Sequence, residues 1–193
     1  MTDTPTPPLT TQIVEDPFVQ HLLRLREEPR ARAELRRGDT TALADRAIPY
    51  LGHRFLNGDR WLSARLLFGA AISRHTNIAD EPSQSFARAA FRTLTPLDQR
   101  DPAGTSVGRR VVAAQRQTLS LAHRTFSGLL ISIGNNAARP ALDWTGLWRT
   151  YKNWDSTDLD RQRHFRRQLL LDFYGTAPQR DKNSDAIESE TKE

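Results

Sequence analysis

The sequence predicts an all-α protein made of two small helical bundles packed together. Three observations lead to this prediction. Apolar residues recur three and four positions apart, as in Trp144, Trp148 and Tyr151, which is the period of an amphipathic helix. No stretch shows the sustained alternation of apolar and polar residues that marks a strand, and β-branched residues are few. The segment TPLDQRDPAGTS at 95–106 combines two prolines with a glycine, so it is the predicted boundary between the bundles.

The chain is expected to have two helical units and two tails. Residues 1–16 are rich in Thr and Pro with almost no apolar content, and residues 177–193 are mostly polar and charged. Both compositions are typical of disordered segments. Between them the sequence predicts an N-terminal bundle over 17–94, a connecting loop over 95–106 and a C-terminal bundle over 107–176.

Five helices are predicted in the N-terminal bundle. The first begins near Pro17, and a short second helix runs from Pro29 to Gly38. A third helix with a kink at Pro49 is expected to turn five apolar side chains inward: Leu43, Ala47, Ile48, Leu51 and Phe55. The most apolar helix covers 60–74, and a short fifth helix precedes the connecting loop.

Four helices are predicted in the C-terminal bundle. Two of them cover about 107–117 and 119–135. Asp143 is a natural cap for the third, which carries the clearest apolar stripe in the chain. The fourth covers about 157–174.

The four tryptophans could form the core or stack on nucleobases. Trp144 and Trp148 lie on an apolar stripe, and Trp61 heads the most apolar helix, so these three are expected in the core. Trp154 stands at a helix end between polar neighbours, which makes it the candidate for an exposed position.

Arginine dominates the basic residues of the chain. It accounts for 25 of 28, and all except Arg180 lie between Arg24 and Arg167. The first 16 residues and the last 15 carry net charges of −3 and −2, which leaves about +10 for the segment between them, against +5 for the whole chain. Arginine suits bidentate recognition of phosphate and stacking on bases. The charge pattern therefore predicts a polyanionic partner, DNA or RNA.

Candidate residues for nucleic-acid binding are ten basic side chains: Arg36, Arg37, Arg109, Arg110, Arg116, Arg124, Arg149, Lys152, Arg163 and Arg167. Arg36 and Arg37 lie at the C-terminal end of a short helix, where the helix dipole already favours cations. Arg109 and Arg110 instead lie at the N-terminal end of a helix, where positive charge is unfavourable. Their presence there indicates a role other than stabilising the helix. None of the spacings is specific for bases, and contact with backbone phosphates is the predicted mode.

Signatures of catalysis and of cofactor binding are lacking. The chain has no Cys, no HExxH and no phosphate-binding glycine loop, so we expect no catalytic residue, no cofactor and no metal. The residues most similar to a metal-ligand set are Asp158, Asp160 and His164. The two acids are explained by the first turn of a helix, where negative charge is favoured by the helix dipole. A metal-dependent hydrolase is the alternative, and bound metal would support it. Neither a membrane span nor a signal peptide is apparent, so we expect a soluble, cytoplasmic protein.

Several short motifs follow one another in a characteristic order. The first half holds AELRRG at 33–38 and IPY at 48–50. In the second half, a paired arginine at 109–110 opens a helix, LDW at 142–144 leads a Trp-containing helix, and RRQLLLDFY at 166–174 ends the last helix. Together these motifs resemble the CasB family, the small subunit of the type I-E CRISPR surveillance complex, Cascade. The resemblance covers about 30–175.

The resemblance implies a non-catalytic protein of two helical bundles, present as two copies in the complex. It implies contacts with other Cascade subunits, with the crRNA and with both DNA strands of the R-loop, which its basic surfaces would stabilise during antiviral defence. Sequence would be read by the guide through base pairing. Two departures stand out: Gly108 replaces a frequent Glu, and the stretch from Arg110 to Arg116 is about one helical turn short. The implied roles are therefore assigned first to Arg36, Arg37 and Arg124.

A helical DNA-binding transcription regulator is the alternative function. Such a protein would place a helix-turn-helix before a ligand-binding bundle. A Pro/Thr-rich tail and an Arg-rich short helix occupy that part of this chain.

Overall fold

A computed structural model of the protein describes residues 16–56, 61–136 and 139–176. Within these ranges the chain forms eight α-helices: α1 Pro17–Leu25, α2 Pro29–Leu35, α3 Leu62–Arg74, α4 Phe86–Phe91, α5 Ser106–Ala114, α6 Leu119–Asn136, α7 Trp144–Trp154 and α8 Leu159–Tyr174. The all-α prediction is confirmed. None of these helices is long and apolar enough to cross a membrane. The expected tails lie outside the described residues, except Asp16, which caps α1 by accepting from the Phe18 N–H at 2.9 Å.

Two strands of two residues each connect distant parts of the chain. They are β1, Ala79–Asp80, and β2, Ala141–Leu142. They pair in parallel, with Ala79 opposite Ala141 and Asp80 opposite Leu142. The pair is too short for the period-two pattern that would reveal it in a sequence.

The helices of both halves pack around one hydrophobic cluster. Helices α3 and α4 of the first half contact α7 and α8 of the second. At the centre, the Phe68 ring lies 5.3 Å from Trp148 and 5.5 Å from Tyr151, measured between ring centroids. Aromatic rings bury large apolar areas and dominate core energetics. The halves at 17–94 and 107–176 therefore meet through buried aromatic side chains.

The prediction of a third helix, with a kink at Pro49, is wrong. Its place is taken by three 3-10 segments, Ala44–Arg46, Ile48–Leu51 and His53–Phe55. Pro49 has no N–H to donate to a helix, and Gly52 adopts φ 81°, a value that favours glycine. Both interruptions fall in this stretch, so a continuous helix cannot form. Ala47 and Leu51 are buried nevertheless, as predicted.

In the second half, the predicted cap of α7 and the predicted burial of two tryptophans are confirmed, and the prediction for a third tryptophan is wrong. An Asp143 carboxylate oxygen accepts from the Gly146 N–H at 2.7 Å, as expected for the cap of α7. Trp144 and Trp148 are buried, as predicted. Trp154 was expected at the surface, but it is fully buried. Its indole N–H donates to the Gln117 carbonyl at 3.1 Å, because the junction of α5 and α6 covers the end of α7.

Close packing explains the glycine that precedes the second arginine pair. A Cβ on Gly108 would lie 1.9 Å from the Pro102 carbonyl oxygen, so a larger residue would force the backbone to move. The Tyr174 hydroxyl also donates to the Gly108 carbonyl at 3.4 Å. A glutamate does not fit this position.

Candidate nucleic-acid interface

Arg36 and Arg37 lie in one 3-10 turn, Arg36–Asp39, directly after α2. Glycine is needed in this turn because a Cβ on Gly38 would lie 2.5 Å from the Leu66 carbonyl oxygen. Arg36 is exposed and donates through Nε to the Ser73 carbonyl at 3.3 Å. The turn is thus pressed against α3 while its first arginine faces solvent.

Arg37 is half-buried and pairs with Glu34, an acid of the preceding helix α2. Its Nη1 donates to Glu34 Oε2 at 2.6 Å, and Arg46 Nε lies 3.4 Å from the same oxygen. Because both pairs remain in partial contact with solvent, they contribute little to stability. They do orient the guanidinium groups along one edge of the turn.

Asp39, the acid of this turn, is held by Arg74 from the end of α3. Both terminal nitrogens of Arg74 donate to the Asp39 carboxylate, and one of them also donates to the Arg36 carbonyl at 2.7 Å. Burial would raise the pKa of Asp39, but hydrogen bonds and charge from Arg74 and His123 lower it below the ordinary value. The carboxylate is therefore ionised and neutralised by Arg74, which fastens the turn to α3.

A buried histidine joins this turn to the second half of the chain. His123 on α6 approaches Asp39 Oδ2 to 3.5 Å with Nε2, and its Nδ1 is 2.9 Å from the Tyr151 hydroxyl on α7. Burial lowers the pKa of His123 despite the opposing effect of Asp39, so the ring is neutral at neutral pH. The contacts fit a tautomer in which Tyr151 donates to Nδ1 and Nε2–H points to Asp39.

This arrangement differs from a catalytic triad. The Ser127 hydroxyl lies 3.4 Å from His123 Nε2, the same nitrogen that faces Asp39. In a triad the acid and the nucleophile contact opposite ring nitrogens. Here Tyr151 occupies the other nitrogen, so the network connects helices.

Arg124 follows His123 on α6 and is exposed. It lines a groove of about 360 Å³ together with Gly38 and Asp39. The structure therefore places Arg124 at a groove that is also lined by Gly38 and Asp39, the last two residues of the turn Arg36–Asp39; Arg36 and Arg37 are not among the residues that line it.

A second pair of candidates lines a different cavity. Arg109 and Arg116 flank an apolar cavity of about 590 Å³ that also contacts Val112 and Tyr174. Arg110 is exposed beside them. Arg109 belongs to α5 and Arg116 lies in the turn just after it, and both line the same cavity.

The remaining candidates occupy separate surfaces. Arg149 is exposed beside a cavity of about 220 Å³ between α4, α7 and α8. The Lys152 ammonium lies 5.7 Å from the centroid of the Trp61 ring. On α8, Arg163 lies 3.4 Å from Asp160, and Arg167 is exposed. The ten candidates are thus spread over several faces.

Arg166 was not among the candidates and points inward. Its Nη1 donates to the Gln115 carbonyl at 2.6 Å, and its Nε and Nη2 donate to the Trp154 carbonyl at 3.2 and 3.0 Å. It stands three and seven positions before the buried Leu169 and Phe173. This helical spacing was the signal that separates Arg166 from Arg167.

The acids at the start of α8 do not gather into a metal site. Asp158 caps the helix by accepting from the N–H groups of Asp160 and Arg161, each at 3.1 Å. His164 is exposed and packs edge-on against Phe165. Among the described residues, no three His, Asp or Glu side chains are placed to hold a metal ion.

Comparison with protein families identifies the chain. The sequence model of the family described as CRISPR-associated protein Cse2 matches residues 31–174. Comparison with curated proteins finds no match, and comparison with solved structures finds none either. The matched range spans most of the chain and contains the turn Arg36–Asp39, the His123 network and all of α3 to α8. The chain therefore belongs to the CRISPR-associated protein Cse2 family, the CasB small subunits of type I-E Cascade.

Proposed function

We propose that this protein is a non-catalytic Cascade subunit that binds nucleic acid through the surface formed by Arg36, Arg37 and Arg124. In this role it stabilises crRNA-guided capture of target DNA and the R-loop. The observation that carries the proposal is that Arg124 lines a groove together with Gly38 and Asp39, the last two residues of the turn that begins with Arg36 and Arg37. A cluster of guanidinium groups attracts phosphate strongly and without sequence preference.

The neutralisation of Asp39 supports a polyanionic ligand at this surface. An unpaired carboxylate beside the arginines would repel phosphate. Arg74 instead engages both oxygens of that carboxylate from within the fold. The outward charge of the surface is therefore positive.

The proposed partners are the crRNA, both strands of the R-loop, other Cascade subunits and a second copy of the chain. Because guide pairing supplies sequence recognition, this subunit needs only charge and shape. Nothing in the arginine spacing calls for contacts to base edges.

Binding of nucleic acid by the purified chain tests the proposal. We expect weak, sequence-independent binding whose log affinity falls with log salt at a slope of about −2 to −3, as three phosphate contacts predict. The chain should also join a crRNA-bound complex that lacks this subunit. Absence of both behaviours at low salt would refute the proposal, and sequence-specific operator binding would favour a transcription regulator.

Substitution of Asp39 by asparagine should weaken nucleic-acid binding about threefold to tenfold, although it removes a negative charge. The amide cannot hold Arg74 as an ion pair, so the turn that carries Arg36 and Arg37 loses its anchor on α3. The measurement is the Kd for a fixed oligonucleotide at one salt concentration.

Asp45→Asn is the matched control for this prediction. Asp45 is exposed in the next 3-10 segment and makes no ion pair within the described ranges. Its removal changes net charge equally, so Kd should stay constant or fall slightly. Tighter binding by Asp39→Asn than by Asp45→Asn would show that the carboxylate only repels the ligand.

A further inference from the structure

Two adjoining cavities form one groove on the surface of the protein. The first, about 360 Å³, is the groove beside Asp39 and Arg124. The second, about 320 Å³, lies beside the end of α7 and is lined by Trp61 and Lys152. Both are walled by the same side chains of α3 and α6: Ser63, Leu67 and Ser120. We name this continuous feature the α3–α6 groove.

The α3–α6 groove is lined by hydrogen-bond donors with cations at both ends. Besides Tyr151, whose hydroxyl is bonded to His123, six of its side chains carry a hydroxyl or an amide: Thr41, Ser63, Ser120, Asn153, Ser156 and Thr157. Arg124 stands at one end, and Lys152 and Arg161 stand at the other. This lining suits a ligand with negative charge and many acceptor oxygens, which are the properties of a sugar-phosphate chain.

The acids that line the groove are both engaged by arginines of the framework. Asp39 is held by Arg74. Asp155 Oδ1 lies 3.2 Å from Arg166 Nη2, and its Oδ2 accepts from the Leu119 N–H at 2.8 Å. Their negative charge is therefore offset from behind, while the cations at the two ends face the groove.

Trp61 supplies an aromatic surface at the second end. Trp61 was expected in the core, but it is half-buried, whereas the other three tryptophans are buried in the core. The Lys152 ammonium lies 5.7 Å from its ring centroid. An aromatic ring beside a cation is the usual platform on which single-stranded nucleic acids stack a base.

We infer that the α3–α6 groove binds a single-stranded nucleic-acid segment, with phosphates near Arg124 and Lys152 and one base stacked on Trp61. This inference rests on the proposed function. It adds where the nucleic acid lies on the protein and that the bound segment is single-stranded. Each half of the groove has a volume at the lower end of the range of small-molecule sites, about 300–1,000 Å³. Such a space admits single nucleotides, and a duplex would remain outside it.

Filling the groove tests the inference directly. Ser63 and Ser120 are both exposed, so the double variant Ser63→Leu/Ser120→Leu should fold normally while it blocks the centre of the groove. We expect its affinity for an oligothymidylate of about ten nucleotides to fall about tenfold, and its affinity for a duplex of equal length to change less than about twofold. Ser83→Leu, an exposed serine outside the groove, is the control and should bind both probes as the unmodified chain does.

Tryptophan fluorescence gives an independent readout. Addition of the oligothymidylate should quench the fluorescence of the unmodified chain, because stacking places a base on Trp61. The variant Trp61→Phe should lose this quenching and keep the emission of the three buried tryptophans.

The outcomes separate the groove from the proposed function. If the filled variant binds the oligothymidylate as tightly as the Ser83→Leu control, or if quenching persists in Trp61→Phe, the groove is not the site. The proposed function would still stand if charge reversal at Arg36 and Arg37 weakened binding. If the unmodified chain bound neither probe at low salt, the proposed function itself would fail.

Discussion

Replacing Arg36 and Arg37 together by glutamate should weaken target-DNA capture by the assembled complex by at least about tenfold. Two phosphate contacts would be lost and two repulsive charges would face the ligand. The slope of log affinity against log salt should become less steep by about 2, because each phosphate contact contributes about one unit. Capture of a matched double-stranded target, measured over a salt series, gives both quantities.

The fold should survive this charge reversal. Arg36 makes a single side-chain hydrogen bond, to the Ser73 carbonyl, and Arg37 bonds only to Glu34 among the described residues. Partly solvent-exposed contacts of this kind contribute about 1 kcal/mol or less each. The circular dichroism spectrum should therefore match that of the unmodified protein.

Arg88→Glu/Arg100→Glu is the charge-matched control. Both arginines are exposed, and neither is among the ten candidates. Equal losses of capture in the two double variants would mean that net charge alone matters, and that the surface at Arg36 and Arg37 has no special part in binding.

Truncating Phe68 to alanine should lower the free energy of unfolding by about 3–5 kcal/mol. Its ring is fully buried and lies within 6.4 Å of Phe18, 6.1 Å of Trp144, 5.3 Å of Trp148 and 5.5 Å of Tyr151, between centroids. These partners belong to both halves of the chain. The loss is a large part of the roughly 5–15 kcal/mol that stabilises a typical domain.

Urea denaturation of the full chain measures this effect and also tests the link between the halves. Because both halves surround the Phe68 ring, circular dichroism and tryptophan fluorescence should report one coincident transition that moves to lower urea. Leu121→Ala, at a side chain that is 49% exposed, should cost no more than about 0.5 kcal/mol. Two transitions, with only one shifted in Phe68→Ala, would show instead that the halves unfold independently.

The helices with strong periodicity could be predicted from the sequence because their causes are local. In α7, Asp143 caps the helix and the apolar residues lie on one stripe, and both signals sit within a dozen consecutive positions. The third predicted helix failed although its apolar pattern was helical. Gly52 at positive φ and Pro49 outweighed that pattern.

The candidate surface was predictable only in part. Arg36, Arg37 and Arg124 could be chosen from motif order, but the groove that Arg124 shares with the end of the turn Arg36–Asp39 depends on contacts between residues far apart in the chain. Asp39 reaches Arg74 and His123 over such separations. No local pattern marks such contacts, and for the same reason the burial of Trp154 escaped prediction.

By itself, the sequence determined the helical class, the positions of the strongly periodic helices and a basic central segment suited to a polyanion. These properties follow from helical period, capping side chains and composition, which each act over a few residues. Only the tertiary structure decided which arginines support the fold and which face a ligand. The side chains of Arg74 and Arg166 donate hydrogen bonds to carbonyl and carboxylate groups of the protein, whereas Arg124 lines the groove. The reason is that a guanidinium is available to phosphate only where packing leaves some of its N–H donors without an internal acceptor, and packing is set by the whole chain.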